Sequence, residues 1–408
     1  MEQLLDRVSG LDVHKASVAA CVRVPGPRGT RAQDIRTFGT TTVELLALRD
    51  WLTAYGVTHV ALESTGVFWK PVFYLLEDQF HCLLVNPTHI KQVPGRKTDV
   101  QDCAWIAQLL EHGLLRGSFV PPAPIRDLRD LTRYRTALLQ ERTREAHRLH
   151  KLLQDAGIKL SSVATDILGV SGRAMLDALL EGTTDPTVLA DLARGKLRRK
   201  LPALRAALAG RFRPHHAFLL GQILTHLDDL DDLITTVSQR IDELLAPFAE
   251  ARALLDTIPG VGPRTADILL AETGGDMRQF PTEHNLASWA GLCPGNNESA
   301  GKRKSGKTRK GNRGLRSALT EAALAAIRTH GSALEARYRR LRHRGHRKAV
   351  VAVAHAILRA AYHVLAEHTP YADLGPEYFD RRYAERATRR AIQALERQGY
   401  RVTLERAA

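Results

Sequence analysis

Only four of the 408 residues are cysteine, and Cys21, Cys82, Cys103 and Cys293 stand far apart with no CxxC pair. That spacing indicates neither a disulfide framework nor a cysteine zinc site, and it fits a reducing compartment. No uninterrupted apolar run reaches the roughly 18 residues of a membrane span, because the best window, 349–366, is broken by His355, Arg359 and His363. The first residues lack the pattern of a secretory signal, so a cytoplasmic protein with no membrane partner is expected. Acids are in deficit: 44 Asp and Glu against 59 Lys and Arg leave a net charge of +15 and a pI near 9.9. Such an imbalance favours a polyanionic partner, nucleic acid above all. Yet the chain has neither a zinc-finger pattern nor an evident base-reading helix.

What is present begins with hydrophobic content of 44% and charged content of 25% over a length that suits two or three domains. Residues 7–24 alternate as one bent strand or two, with Asp12 inside the apolar pattern. A short strand near 35–38 and a helix over 44–55 follow. Val57 to Leu62 is a further apolar strand that runs directly into Glu63. A helix over 67–78 and a strand over 81–85 lead to a basic connector, 88–98. A helix beginning near Thr98 would set Asp99 and Asp102 on one face, with Trp105, Ile106, Leu109 and Leu110 as its buried stripe. The order is thus a strand with an acid, a strand ending in an acid, and a helix with two.

An unpaired carboxylate is expensive to bury, and four converging ones stay ionised together only when cations neutralise them. Oxygen-only donors suit magnesium or manganese better than zinc. Two such ions about 3.5 to 4 Å apart would clamp a phosphodiester. The set Asp12, Glu63, Asp99, Asp102 resembles the DEDD carboxylates of the RNase H/RuvC-like nuclease fold, so residues 1–120 are expected to be an α/β domain of that kind, closed by Pro121-Pro122-Ala123-Pro124.

Residues 121–250 read as a helical, coiled-coil region. The stretch 125–160 carries a leucine stripe and a flank of Arg126, Arg129, Arg133, Arg135, Arg142, Arg144 and Arg148. That flank is either a solvated face balanced by Asp127, Asp130, Glu141 and Glu145 or a nucleic-acid contact, and the leucine stripe is a candidate for dimerisation. Residues 219–245 hold a near-heptad seam, expected to serve as scaffold and for oligomerisation, with Asp228, Asp229, Asp231 and Asp232 on a solvated face.

Residues 251–330 are expected to be mainly α. Ile258-Pro-Gly260-Val-Gly262-Pro-Arg264 resembles a helix-hairpin-helix, in which glycines let backbone N–H groups approach a phosphate. Lys302 to Arg316 then holds eight basic residues and no acid, among them Lys302, Arg303, Lys304, Lys307, Arg309, Lys310 and Arg313, a phosphate-binding surface by composition. Ser299 lies just before it. Residues 331–408 are expected to be a basic helical extension, with Arg337, Arg339, Arg340, Arg342, Arg344, Arg347 and Lys348 on a helix that either makes further nucleic-acid contact or is a solvated face.

Together, Gly-Leu-Asp12-Val-His-Lys, Ala-Leu-Glu63-Ser-Thr-Gly, Lys-Thr-Asp99-Val-Gln-Asp102, Ile-Pro-Gly-Val-Gly and Gly-Leu-Cys-Pro followed by Ser299 resemble the DEDD transposases of the insertion-sequence-110 family. The resemblance implies a site-specific recombinase that excises and inserts a mobile element, working on DNA as a homo-oligomer, dimer or tetramer, at the nucleoid. It implies two Mg2+ or Mn2+ ions on the carboxylates, and a structured noncoding RNA that specifies target and donor DNA. It places the nucleophile at Ser299, five residues after the proline of Gly-Leu-Cys-Pro. Family members often carry glycine directly after that serine; here Ala300 precedes Gly301, which leaves Ser305 as a lesser rival. Two other readings remain at this stage: a junction-resolving nuclease that uses water, and a non-catalytic nucleic-acid-binding protein.

Overall fold

The two strand-forming runs of residues 8–25 fold back on each other as β1 (Val8–Val13) and β2 (Ser17–Pro25), antiparallel, with Asp12 opposite Ala19. The computed structural model describes residues 3–63, 66–87, 102–295 and 297–403. The chain divides into two units, Met1–Val120 and Pro121–Ala408. In the first, β3 (Arg31–Gly39), β4 (His59–Glu63) and β5 (His81–Val85) complete a mixed five-stranded sheet of order β3-β2-β1-β4-β5. β1 is parallel to β4, and β4 is parallel to β5. The edge strand β3 is longer than its sequence pattern indicated, because half its residues face outward and blur the alternation.

Helices α1 (Thr42–Ala54) and α2 (Trp69–Leu76) contribute to the core on one face, where Leu11, Leu62, Leu48, Leu52 and Phe73 are buried together. Helix α3 (Asp102–Glu111) packs Ile106, Leu109 and Leu110 on Val8, Ala61 and Val85 of the other face. With both faces covered, the central strands read as continuous apolar runs. Trp105 is only partly buried; Cys103 and Ala107 take the innermost places. The expected connector 88–98 and Asp99 lie outside the described residues.

The second unit is helical apart from one hairpin. Helix α4 (Ala123–Asp155) lies antiparallel to α8 (Pro214–Leu245), with Asp155 meeting His216, Glu141 meeting His226 and Arg142 meeting Asp231. Leu220, Leu224, Leu227, Leu230 and Ile234 of the near-heptad seam are buried against the chain's own helices, α4 among them. Helices α5 (Val170–Leu180), α6 (Pro186–Asp191) and α7 (Leu201–Leu208) supply Met175, Leu176, Leu189 and Leu204 to the same core. Asp228 and Asp231 stay half exposed, as a solvated face requires, and pair with Arg173 and Arg142.

The basic flank of α4 needs a larger correction. Arg129 and Arg133 pair with Glu272, Arg135 with Asp267, Arg142 with Asp231 and Arg148 with Glu145. These arginines hold helices together, and the partners come mainly from other elements rather than from the local acids of α4.

Helices α9 (Ala249–Asp256) and α10 (Pro263–Thr273) are joined by the Pro-Gly-Val-Gly turn. Gly260 has φ +84°, and a Cβ there would stand 2.2 Å from the carbonyl oxygen of Ala322 on α12 (Arg313–Ala326). Its freedom is used for packing, whereas nothing stands within 4 Å of a Cβ on Gly262. Helices α11 (Glu283–Trp289), α13 (Ala333–Leu341) and α12 surround α14 (His346–Glu367), which buries Val353, Ile357, Leu358 and Ala361. The most apolar window of the sequence is therefore a core helix of this unit. Helix α15 (Tyr378–Glu396) follows.

Candidate carboxylate centre and serine hairpin

The register of β1 and β4 runs Val8 with His59 through to Leu11 with Leu62. Carried one residue further, it sets Asp12 beside Glu63, on strands about 4.8 Å apart. Leu11 and Leu62 point together into the α1/α2 core. Side chains alternate along a strand, so Asp12 and Glu63 belong to the opposite face, the one that α3 covers. Gly10, two residues before Asp12, touches the backbone of α3 at Cys103 and Ala107. Asp102 opens that helix and is exposed. Burial pushes the Cys103 thiol up, and the charges of Asp12 and Asp102 push it further, which puts both carboxylates within electrostatic reach of one sulfur.

Three of the four expected carboxylates thus share one end of one sheet face; Asp99 lies outside the described residues. The Asp12 side chain is one-fifth exposed, and its Oδ2 lies 3.2 Å from Nε2 of the exposed His14. Hard oxygen donors on two adjacent strand ends and a helix start fit a magnesium-type ion in chemistry. Among the described residues, no three His, Cys, Asp or Glu side chains stand close enough together to hold one.

The other end of α3 carries a feature that sequence reasoning missed. Glu111 is 2% exposed and receives Arg23 and Arg31 at 2.6 Å each. A carboxylate at a helix C-terminus opposes the helix dipole, and two guanidiniums from β2 and β3 offset that cost while tying the helix to the sheet. The signal was available: an acid directly after the stripe residues Leu109 and Leu110 needs partners if it is buried.

In the second unit, β6 (Asn297–Ser299) and β7 (Lys302–Ser305) form an antiparallel hairpin in which Ser299 pairs with Lys302. The two turn residues, Ala300 and Gly301, have φ +50° and +70°, the left-handed pair that a two-residue hairpin with the right twist requires. The position after Ser299 is therefore one that favours glycine, and alanine is held there against its preference. Ser305 Oγ accepts a hydrogen bond from the Lys307 N–H at 3.1 Å, so that hydroxyl is engaged in its own turn. Lys302, Lys304, Lys307, Arg309, Lys310 and Arg313 are exposed, as is Arg264 in the first turn of α10.

The hairpin's exit is anchored by a second acid that the sequence did not flag. Glu272, 1% exposed, is gripped by Arg133 at 2.7 and 2.9 Å and by Asn312 Nδ2 at 2.6 Å. Asn312 in turn caps α12 through the Leu315 N–H. One carboxylate thus ties α4, α10 and α12 together directly below the basic loop.

Two family models match this chain: a DEDD transposase model of the IS110 type over residues 9–158 and the Transposase IS116/IS110/IS902 family over residues 252–339. An insertion element IS110 protein of Streptomyces coelicolor is 30% identical, over 68% of this chain and 73% of its own length. The chain belongs to the IS110 family of transposases. A probable family 20 transposase of Pseudomonas aeruginosa is 28% identical across 79% of this chain and 88% of its own length. A pilin gene-inverting protein of Moraxella bovis is 31% identical over 34% of this chain. The chain is accordingly a DNA transposase/recombinase. The N-terminal IS110 match contains Asp12, Glu63, Asp99 and Asp102, and the C-terminal one contains Gly260, Gly262, Arg264, Ser299 and the basic loop.

Proposed function

We propose that this IS110-family transposase cuts and rejoins DNA through two cooperating groups: a divalent-metal centre on Asp12, Glu63, Asp99 and Asp102, and Ser299 as nucleophile. The strand order, with an acid on the central strand and another at the end of its parallel neighbour, supports reading the first unit as RNase H/RuvC-like. Bound there, two Mg2+ or Mn2+ ions would activate the nucleophile and stabilise the leaving oxygen. In the reaction, Ser299 Oγ forms a bond to phosphorus and the bond from phosphorus to a deoxyribose oxygen breaks. The serine proton passes to an acceptor in the site, and one proton is returned from the site to the released sugar oxygen, which leaves as a hydroxyl. Lys302, Arg303, Lys304, Lys307, Arg309, Lys310 and Arg313 hold the phosphate oxygens, and the open turn at Gly262 and Arg264 takes a neighbouring phosphate.

The observation that supports this reading is the β1–β4 register, which pairs Leu11 with Leu62 and, extended by one residue, makes Asp12 and Glu63 neighbours on the face where α3 begins with Asp102. A covalent serine intermediate keeps the phosphodiester bond energy for rejoining, which suits a recombinase and has no use in a hydrolytic nuclease. The gene-inverting relative, whose name describes rearrangement rather than degradation of DNA, favours the same choice. Cleavage at defined sites also needs a reader of sequence. Basic loops hold backbones, so a structured RNA that pairs with DNA is proposed as that reader, acting in a homo-oligomer at the nucleoid. The arginines of α4 that are paired within the chain are not proposed to hold it.

The test compares Asp12→Asn, Glu63→Gln and Asp102→Asn with the parent protein. Metal binding is followed by calorimetry with Mn2+, and cleavage is measured on element-end DNA with and without RNA transcribed from the gene's flank. Each substitution should weaken metal binding and lower cleavage by orders of magnitude with the fold retained. Full cleavage by any one of them would sink the metal assignment, and site-specific cleavage without RNA would remove the guide.

A further inference from the structure

Helices α13 and α14 and the end of the serine hairpin enclose a groove of about 1130 Å³. Its walls carry Lys304 and Lys307 on one side and Arg337, Arg344, Arg347 and Lys348 on the other, with no aspartate or glutamate among its lining residues. Elsewhere in this unit the chain pairs its arginines with acids, as Glu272, Asp267, Asp231 and Asp228 show. Here it does not: Lys304, Lys307, Arg344, Arg347 and Lys348 make no ion pair with any described residue. Arg337 is the fixed member, donating from Nε to the Ala352 carbonyl at 3.1 Å.

Concentrating like charges around one concavity is unfavourable in the absence of a counter-charge. Arg347 and Lys348 add to the cost, since cations in the first turn of a helix oppose its dipole. The groove floor is apolar, with Leu292, Leu341 and Val351. His355 adds no charge there, because burial, with Arg337 and Arg359 nearby, pushes its pKa down to about 4. No Phe, Tyr or Trp lines the groove, and His355 is its one aromatic ring, so it is shaped to follow a phosphate backbone rather than to stack successive bases.

One wall places this feature relative to the chemistry. Lys304 lies two residues along β7 from Lys302, the partner of Ser299, a rise of about 7 Å. Of the opposite wall, Arg337 lies within the matched family segment that ends at residue 339, and Arg344, Arg347 and Lys348 lie beyond it. We propose that the groove is a tracking channel for the phosphodiester backbone of the DNA strand that Ser299 cuts. This rests on Ser299 being the nucleophile, and it extends the phosphate-holding surface from the loop onto α13 and α14.

The experiment uses the full-length protein carrying Ser299→Ala, so that binding is read without chemistry. Two variants remove charge from opposite walls: Arg344→Ala/Arg347→Ala/Lys348→Ala and Lys304→Ala/Lys307→Ala. A control, Arg194→Ala/Lys196→Ala/Arg199→Ala, lowers net charge equally at an exposed segment far along the chain. Fluorescence anisotropy of a labelled 20-nucleotide single-stranded DNA is followed from 50 to 300 mM salt. Loss of three phosphate contacts should flatten the log–log salt slope by about 2, and loss of two by about 1.4, for a single strand. The control should keep the parent slope. Parent slopes in both groove variants, or flattening in the control to the same degree, would overturn the channel.

The source of the strand is settled by placing p-benzoylphenylalanine at Val351 and irradiating the complex with element-end DNA and the flank-derived RNA. Crosslinks to DNA within a few nucleotides of the cut phosphate are expected. Crosslinks to RNA alone, or none, overturn the proposal. Neither readout depends on catalysis, so an adduct on a residue other than Ser299 would refute the nucleophile without altering these results.

Discussion

Gly10 of β1 and Cys103 of α3 meet backbone to backbone, and a Cβ on Gly10 would lie 2.3 Å from the Cys103 carbonyl oxygen. This contact fixes how deeply α3 sits on the sheet, and Asp102 is the residue next to Cys103. Gly10→Ala should therefore displace the helix start. Overpacking of this kind costs about 1 to 3 kcal/mol. Urea unfolding should register that loss, and metal affinity and cleavage should fall together because Asp102 moves away from Asp12.

Glu272 makes a second prediction. Replacing it by alanine leaves the largely buried Arg129 and the half-exposed Arg133 without their carboxylate and removes the acceptor of the Asn312 side-chain amide. Breaking one partner of a buried ion pair costs about 3 to 5 kcal/mol. Denaturant titration of Glu272→Ala should show a loss in that range; a change under 1 kcal/mol would mean the cluster does not hold these helices together.

Ala300 predicts a pair of opposite effects. Its φ of +50° is disfavoured for an L-residue and more so for a β-branched one. Ala300→Gly should keep or raise cleavage activity, whereas Ala300→Val should reduce it strongly by distorting the turn after Ser299. Equal activity in both would show that the left-handed turn is not needed for the reaction.

The cluster of Glu283 with His363 and Arg359 should make part of the stability depend on pH. Burial alone would raise the Glu283 carboxyl, but hydrogen bonds from His363 and Arg359 hold it below its ordinary 4.5. Glu367, aided by Glu283, holds His363 above 6.5. The His363 contribution is complete below pH 6.5 and is lost as pH rises through its raised pKa. The Glu283 contribution is present above pH 4.5 and is lost as pH falls through its lowered pKa. The difference in Tm between the parent and His363→Ala should thus be larger at pH 6 than at pH 9. His363 is half exposed, so the effect is small.

Much of the first unit was legible because its central strands are apolar on both faces, and an acid interrupts the buried run at Asp12 of β1 and ends it at Glu63 of β4. The serine hairpin was visible only as composition. Its two-residue turn became clear once Ala300 and Gly301 were seen at positive φ, since alanine is no turn signal by itself. The arginines of α4 were the least legible element. A sequence shows that Arg129, Arg133 and Arg135 share a helix, but their acids, Asp267 and Glu272, lie more than a hundred residues later in the chain. The near-heptad seam of α8 was legible as a packing stripe, and α4 of the same chain packs against it.

The central claim, that Ser299 becomes joined to DNA with the carboxylates in place, is tested most directly by mapping the covalent product. The protein is incubated with element-end DNA, flank RNA and Mg2+, digested with nuclease and protease, and the phosphorylated peptide is sequenced by mass spectrometry. The account predicts a nucleotide or phosphate on Ser299 in the parent protein, absent in Ser299→Ala and in Asp12→Asn. An adduct on Ser305, or one that persists in Ser299→Ala, would contradict it.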